Sequence, residues 1–404
     1  MIRALGANMQ LLFQRASVFK QAPSPAAAFK IPFISYGVRR DPRKVNDPSI
    51  NNDPLPAKSG CGDPVVGGPI RTVLDLRNMG HFLSLLLGVP TANKAVTKQP
   101  TNCTGVSVEW AHASCTAGDG TLAFTAAGTT LTWTAQGDTA GTPVDVSAGG
   151  RFTLQSGTAS HSLSVFVTPA SLPVVDKSDA DIAVSATLKA HVFPINTTER
   201  PDALLELGHL DVGTYYRTLG AKVTKISWDM MGEQNISIDI IAGGDETPEN
   251  AVFDAAPTSY TIERACGAGG TVSNGVDGNL GIITAGSIEI DMGMKGVEAA
   301  DGQPGYGFIE QGDVKIGGKM TTVFDGAGAY AAARAGDSTR LRFVSKKLVG
   351  SDLFQLVVDC PQAELTNESA KREGKTGVYA EMDWMAHQGA NLPLVMLVND
   401  VTSY

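Results

Sequence analysis

Short runs in which apolar and polar residues alternate recur along the chain, and a period of two predicts β-strands. Such runs cover residues 9–13, 30–35, 236–240, 287–292 and 380–384. Residues 77–88 and 325–336 are different, because each follows an apolar run and each ends on a glycine, the residue expected just after a helix. The pattern therefore predicts a mainly β protein with two helices.

Two parts of the chain look like copies of one strand-rich unit, residues 203–243 and residues 354–400. Within them, residues 226–231 correspond to residues 380–385, and each segment precedes a short turn and a further apolar strand, at 236–241 or 392–398. We interpret this as two tandem homologous domains, each with a flanking helix. Duplicated units often pack together as separate subunits would.

The composition between residue 93 and about residue 189 changes to Thr, Ser, Ala, Gly and Val with few charges. Regularly spaced short strands separated by turns predict a small β-sandwich. These strands lie at residues 121–125, 130–134, 143–146, 151–154 and 162–167. The predicted domains are therefore a first domain of residues 1–93 and 190–245, an insert of residues 94–189, and a second domain of residues 246–404.

Residues 36–69 have almost no periodicity and many Pro, Asp, Asn and Gly residues, which predicts a long loop. Loops of this length are usually functional or ordered by a partner. A basic cluster within it consists of Arg39, Arg40, Arg43 and Lys44. Two interpretations remain open, a solvated loop and an arm that docks on an acidic face of a neighbouring subunit.

The 404-residue chain is acidic, with a formal net charge of −9, which opposes tight DNA binding because that requires Lys and Arg against phosphates. Its 43% apolar and 18% charged residues favour buried subunit contacts. Five cysteines without a Cys-x-x-Cys pair argue against a disulfide framework and a zinc site. Cys103 and Cys115 either bridge a loop or, as we favour, remain buried thiols. We expect neither a signal peptide nor a membrane span.

The search for chemistry indicates no enzyme. The six histidines are scattered without metal-ligand spacing, so we expect no metal site. Gly326 and Gly328 resemble part of a dinucleotide fingerprint, but the neighbouring segments are β-hairpins rather than βαβ units, so we expect no cofactor. Glu381 and Asp383 are the one candidate carboxylate pair, and neighbouring positions on one strand face do not make a general acid and base.

Carboxylates recur at alternate positions of three predicted strands, residues 236–240, 287–292 and 380–384, and a period of two places each set on one sheet face. With Asp229 of residues 226–231, they are candidates for a common acidic surface. The six are Asp229, Asp239, Glu289, Asp291, Glu381 and Asp383. Two interpretations are a solvated sheet face and an acidic wall that faces a channel. An acidic wall repels nucleic acid and so suits its transport rather than its binding.

The sequence resembles the major tail tube proteins of long-tailed bacteriophages. The likeness is carried by residues 6–13, by residues 71–78 and 86–90 around the first helix, and by residues 205–209 and 221–227. Residues 131–135 and 145–154 are similar to the Ig-like inserts of some relatives. The resemblance implies two tail-tube-type β-sandwich domains, each with a flanking α-helix, plus an inserted Ig-like β-sandwich.

The resemblance also implies a function. Such subunits polymerise into stacked, usually sixfold rings, so a chain with two copies implies trimers with pseudo-sixfold symmetry. Their lumen holds the tape measure protein and later passes double-stranded DNA without specific binding. Residues 36–69 are expected to reach the adjacent ring, the six carboxylates to face the lumen, and the insert to lie outside. Further implied partners are the tail terminator and distal tail proteins. The expected location is the virion tail, after assembly in the host cytoplasm.

Two other functional classes are compatible with the sequence. An adhesin or receptor-binding protein explains the Ig-like insert but seldom needs a duplicated core with helices. A hydrolase or lyase needs carboxylates that converge in a pocket. Purified protein that stays monomeric favours either class over a tube.

Overall fold

A computed structural model describes residues 8–45, 59–158, 160–195, 200–245, 248–273, 283–299, 304–323, 334, 336, 338–372 and 378–404. The predicted mainly β fold is confirmed. The first part of the chain forms short strands and a helix: β1 (Met9–Ala16), β2 (Phe29–Ile31), β3 (Ser35–Tyr36), β4 (Arg39–Asp41), β5 (Lys44–Val45), β6 (Gly60–Cys61), β7 (Val65–Val73) and α1 (Met79–Leu87).

Helix α1 confirms the prediction for residues 77–88. All nine of its residues are buried, as expected for a helix that is enclosed by the core rather than laid on its surface. It ends at Gly88, which has a φ of 111° and donates its backbone N–H to the carbonyl oxygen of Ser84. The second predicted helix, residues 325–336, lies outside the described residues apart from residues 334 and 336.

The segment predicted as an insert, residues 94–189, is called the insert below. With its flanks it forms a run of strands: β8 (Thr91–Val96), β9 (Val106–Ala111), β10 (Gly118–Thr125), β11 (Thr130–Thr134), β12 (Val144–Asp145), β13 (Gly150–Gln155), β14 (Ser162–Val167) and β15 (Lys177–Phe193). All five strands predicted in the insert are present. Strand β14 pairs with β9 and β13, whereas β10 pairs with β11 and β15. Their inward side chains, including Trp133, Leu163 and Ile182, form a hydrophobic core separate from the main one.

A shared strand and a cluster of charged side chains join the insert to the main body. Strand β15 is continuous from one to the other, since its first half pairs with β10 and its last residues pair with the final strand of the chain. A buried charge cluster lies beside this connection. Arg151 of the insert donates to Glu109 at 2.7 Å and to Asp359 of the main body at 3.3 Å, while Arg340 donates to Asp359 at 2.8 Å and 2.9 Å.

The rest of the chain returns to the main body. Its strands are β16 (Asp202–His209), β17 (Thr214–Asp229), β18 (Asn235–Asp245), β19 (Thr258–Ser259), β20 (Cys266–Ser273), β21 (Ile283–Asp291), β22 (Lys295–Glu298), β23 (Tyr306–Glu310), β24 (Lys315–Val323), β25 (Thr339–Val349), β26 (Asp352–Arg372), β27 (Val378–Ala386) and β28 (Leu394–Asn399).

The region predicted as an unpatterned loop, residues 36–69, is largely paired where it is described. Strands β3 and β4 pair with β7, and β5 pairs with β6. Strands of two or three residues are too short to show a period of two, and backbone hydrogen bonds need no side-chain pattern. The loop prediction was therefore wrong for these strands, while residues 46–58 lie outside the described residues.

The correspondence of residues 226–231 with residues 380–385 was also wrong. Strand β17 pairs with the next strand, β18, as that correspondence requires. Strand β28, however, pairs with β26 and β15 rather than with β27. The apolar runs at the two places are similar because both fill a core, and apolar content alone does not fix which strand is the neighbour.

A polar sheet face built from two similar strand sets

The main body contains one antiparallel series of strands that carries most of the predicted site residues. In spatial order it runs β4, β7, β18, β17, β21, β24, β27 and β26. One face of this sheet is apolar and buried, and includes Ile238, Ile226, Ile290, Ile316 and Trp384. Alternate residues point to the opposite face, which is polar.

All six predicted carboxylates lie on that polar face. Lys225 is the register partner of Asp239 on one side and of Asp291 on the other. Glu289 lies opposite Ser227.

The remaining three carboxylates extend the same face to both sides. Asp229 lies opposite Ser287, Asp383 opposite Lys319, and Glu381 opposite Thr321. The register thus places Asp229 and Asp383, which are 154 positions apart in the sequence, in one row across the face, with Ser287 and Lys319 between them.

The face is not purely acidic. Among the residues whose side chains are described, five basic ones share it with the carboxylates: Arg39, Arg71, Lys225, Lys315 and Lys319. Lys225 Nζ donates to Glu289 Oε2 at 2.7 Å, and this bond raises the pKa of Lys225. Partial burial raises the pKa of Asp239, with Lys225 opposing the effect and Asp291 and Glu289 adding to it. The face is a mixed-charge surface on which acids outnumber bases.

The strand order of the sheet repeats. The first set, β4, β7, β18 and β17, is followed in space by β21, β24, β27 and β26, with the same succession along the chain and the same antiparallel pairing. In this alignment β18 corresponds to β27. In each set, a short antiparallel strand pair is inserted between the first and second strands: β5 with β6 between β4 and β7, and β22 with β23 between β21 and β24.

Two glycines support this alignment. Gly67 in β7 and Gly317 in β24 each begin a Gly-Gly pair. A Cβ atom on Gly67 would lie 2.7 Å from the carbonyl oxygen of Ile240, and one on Gly317 would lie 2.7 Å from that of Trp384. Both sites therefore need glycine for the same reason, the close approach of the neighbouring backbone.

The turns after β4 and β21 also match. The carboxylate of Asp41 accepts a hydrogen bond from the backbone N–H of Arg43 at 3.1 Å, and that of Asp291 accepts one from Gly293 at 2.7 Å. Arg43 and Gly293 both have positive φ, 39° and 55°. These local signals, a Gly-Gly pair and an Asp two residues before a turn, are visible in the sequence and locate the equivalent strands better than apolar runs do.

The basic cluster of residues 39–44 lies at the root of the β5–β6 pair. All four side chains are exposed. Arg40 lies 3.7 Å from Asp245, and Arg43 forms an ion pair with Glu298 of β22. Two of the four basic residues therefore contact acids of their own chain.

Other chemistry is sparse in the part of the chain that the structure describes. It contains no group of three or more His, Cys, Asp or Glu residues arranged to hold a metal ion. No described helix is long and apolar enough to cross a membrane. Cys103 and Cys115 are buried free thiols and do not pair, and burial raises the pKa of Cys103 to about 12.

The histidines of the core are structural. His81 lies in α1, where it packs against Phe13, Phe29 and Tyr404. Its burial lowers the pKa of the imidazole to about 3, so it is neutral at physiological pH. His191 Nε2 donates a hydrogen bond to the carbonyl oxygen of Val401 at 2.8 Å, and its ring packs edge-on against Tyr404.

Comparison with known proteins identifies the family of the chain. No curated protein matches the chain. The family described as phage tail tube protein matches residues 6–386, which include every strand of the polar-faced sheet. The chain therefore belongs to the phage tail tube protein family, as the resemblance in its sequence predicted.

Proposed function

We propose that three copies of this chain close into a ring with pseudo-sixfold symmetry and that such rings stack into the tail tube. Membership of the family makes it a structural protein of the virion tail. The observation that carries the finer proposal is the repeated strand order, since two similar sets per chain supply six sets in a ring of three.

The polar face of the sheet is proposed to line the lumen. Its carboxylates and lysines keep it hydrated, and the excess of acids opposes adhesion of the DNA that passes through. The residues proposed to face the lumen are Asp229, Asp239, Glu289, Asp291, Glu381 and Asp383. The apolar face then lies against the rest of the main body, where Trp228 and Trp384 are almost completely buried.

The insert is proposed to lie on the outside of the tube as an Ig-like domain. It has its own core, and the buried cluster around Asp359 attaches it to β26 at residues outside the portion that pairs with β27. The arm of residues 36–69 is proposed to contact the adjacent ring, with Arg39, Arg40, Arg43 and Lys44 at its root. The tape measure protein, the tail terminator and distal tail proteins are its proposed partners, and the host cytoplasm its place of assembly.

Electron microscopy of the purified protein tests this function. The proposal predicts hollow rings and stacked tubes, whose formation increases with protein concentration. Compact monomers at every concentration and salt condition, also after addition of purified tail-tip complexes as an initiator, would contradict it.

A further inference from the structure

The polar-faced sheet ends in two open edges. Strands β3 and β4 pair with β7 on one side, and residues 366–372 of β26 pair with β27 on one side. Among the described residues, no strand pairs with the other side of either. Unpaired strand edges are templates for pairing with another chain.

The centre of the same sheet shows how such edges can join. Strand β17 pairs with β16 up to Ala221, and from Lys225 to Asp229 the vacated side is taken by β21, the first strand of the second set. Strand β26 likewise pairs with β25 up to Ala363. Beyond Ala363, no described strand pairs with this side of β26. The equivalent side of β17 is the one that pairs with β21.

The alignment of the two sets fixes a register. Asp41 corresponds to Asp291, because both accept the turn hydrogen bond from the residue two positions later. Thr366 of β26 lies opposite Asp383 of β27, and Lys225 of β17 lies opposite Asp239 of β18. Because β26 and β27 correspond to β17 and β18, Thr366 corresponds to Lys225. The pair Lys225 and Asp291 within the chain therefore has a counterpart, Thr366 and Asp41, that only two chains can form.

We propose that β4 of one copy pairs antiparallel with residues 366–372 of β26 in a second copy, with Asp41 opposite Thr366. This inference rests on the proposed ring, since it names the surfaces by which its subunits meet. The sheet then continues from one chain to the next. Around the ring, the β17–β21 pairing within a chain alternates with the β26–β4 pairing between chains.

Backbone donors are available on the correct side. The N–H of Gly37 donates to Pro69 of β7 at 2.8 Å, and successive N–H groups of a strand alternate sides, so that of Arg40 faces the open edge. At the internal junction, the N–H of Met292 donates to Thr224 of β17 at 2.9 Å. Residues of β4 and β21 with even numbers thus direct their N–H groups to the same side of their sets.

Disulfide cross-linking tests the register. In assembled tubes of the variant Asp41→Cys with Thr366→Cys, mild oxidation should join chains into covalent dimers and trimers, with no band above the trimer. A control variant, Ser35→Cys with Thr366→Cys, places the thiols about 20 Å apart in this register, from six residues at about 3.3 Å each, and should not cross-link. The parental chain, oxidised in parallel, reports any bonds from its own cysteines.

The outcomes separate the junction from the ring. Tubes of the double variant that remain uncross-linked, or that cross-link no better than the control pair, overturn the junction and leave the tube intact. Covalent ladders that continue beyond three chains overturn the closed ring of three but keep the junction. A parental chain that forms no rings contradicts the proposed function itself.

A backbone substitution gives a second test. Arg40→Pro removes an N–H from the open edge without removing one that faces β7, and proline is tolerated at strand edges. Arg40→Ala removes the same side chain and its contact with Asp245 but keeps the N–H. We expect both variants to fold with the parental circular dichroism spectrum, and at least a tenfold loss of tube assembly in Arg40→Pro alone. Equal assembly by the two variants would overturn the proposed pairing.

Discussion

Asp359 is the residue whose substitution should most weaken the attachment between the insert and the main body. Its side chain is fully buried. It accepts hydrogen bonds from Arg340 at 2.8 Å and 2.9 Å and from Arg151 at 3.3 Å. The change Asp359→Asn keeps the shape, removes the charge and leaves Arg340, which is 7% exposed in its side chain, without a carboxylate partner.

The magnitude follows from the cost of an uncompensated buried charge. Breaking a buried ion pair by removing one partner costs about 3–5 kcal/mol. Three charge-assisted hydrogen bonds at about 1.5–3 kcal/mol each would sum to more, but an asparagine oxygen still accepts some of them. We therefore expect Asp359→Asn to lower the free energy of unfolding by about 3–5 kcal/mol.

Urea unfolding followed by tryptophan fluorescence measures this effect. The chain has four tryptophans. Trp133 lies in the core of the insert and Trp384 in the main core, so each is followed in a variant in which the other three tryptophans are replaced by Phe. The matched control is Glu364→Gln on the same strand, an exposed position where we expect a change within about 0.5 kcal/mol. A loss below about 1 kcal/mol for Asp359→Asn would contradict this expectation, because it would mean that the arginines find other partners or water.

Three further predictions concern the sheet and the thiols. Burial raises the pKa of Asp239 in the folded protein, so the ionised carboxylate destabilises the fold above this folded-state pKa, and the effect disappears below the unfolded-state pKa. Asp239→Asn should therefore raise the Tm at pH 7 and leave it unchanged at pH 3. An equal rise in Tm at both pH values would contradict the direction of the pKa shift. Gly317→Ala should lower the free energy of unfolding by about 1–3 kcal/mol, because the new Cβ lies 2.7 Å from a carbonyl oxygen of β27. The control Gly128→Ala, where the nearest atom is 3.5 Å away, should leave the Tm nearly unchanged in the same thermal scan. In the native protein, a thiol-specific reagent at pH 8 should not modify three buried cysteines, Cys103, Cys115 and Cys360. After denaturation all three should react, and peptide mass spectrometry measures the modification at each.

The sequence predicted the features that depend on local pattern. Helix α1 was found because an apolar segment without a period of two ends at Gly88, and the strands of the insert were found because each is bounded by turn residues. The carboxylates of each strand were placed on one side of that strand by alternation alone, which needs no knowledge of the neighbouring strand. That the strands share one face was a hypothesis, and it depends on the register of adjacent strands.

Features that depend on pairing between distant strands were not predicted correctly. The series Arg39–Asp41 is too short to show a period, so the first strand of the first set was assigned to a loop. The lysines of the polar face were missed because Lys225 and Lys319 meet the carboxylates only through the register of adjacent strands. A search for repeated local signals, the Gly-Gly pairs that begin at Gly67 and Gly317 together with the turns after Asp41 and Asp291, would have aligned the two sets.

A cryo-electron microscopy reconstruction of assembled tubes would show whether three chains form each ring. We expect a continuous β wall around a lumen, exact threefold symmetry, two similar strand sets per chain and three outer domains per ring. Six chains per ring, each placing one strand set on the wall, would contradict the claim that the two sets of one chain occupy successive positions around the tube.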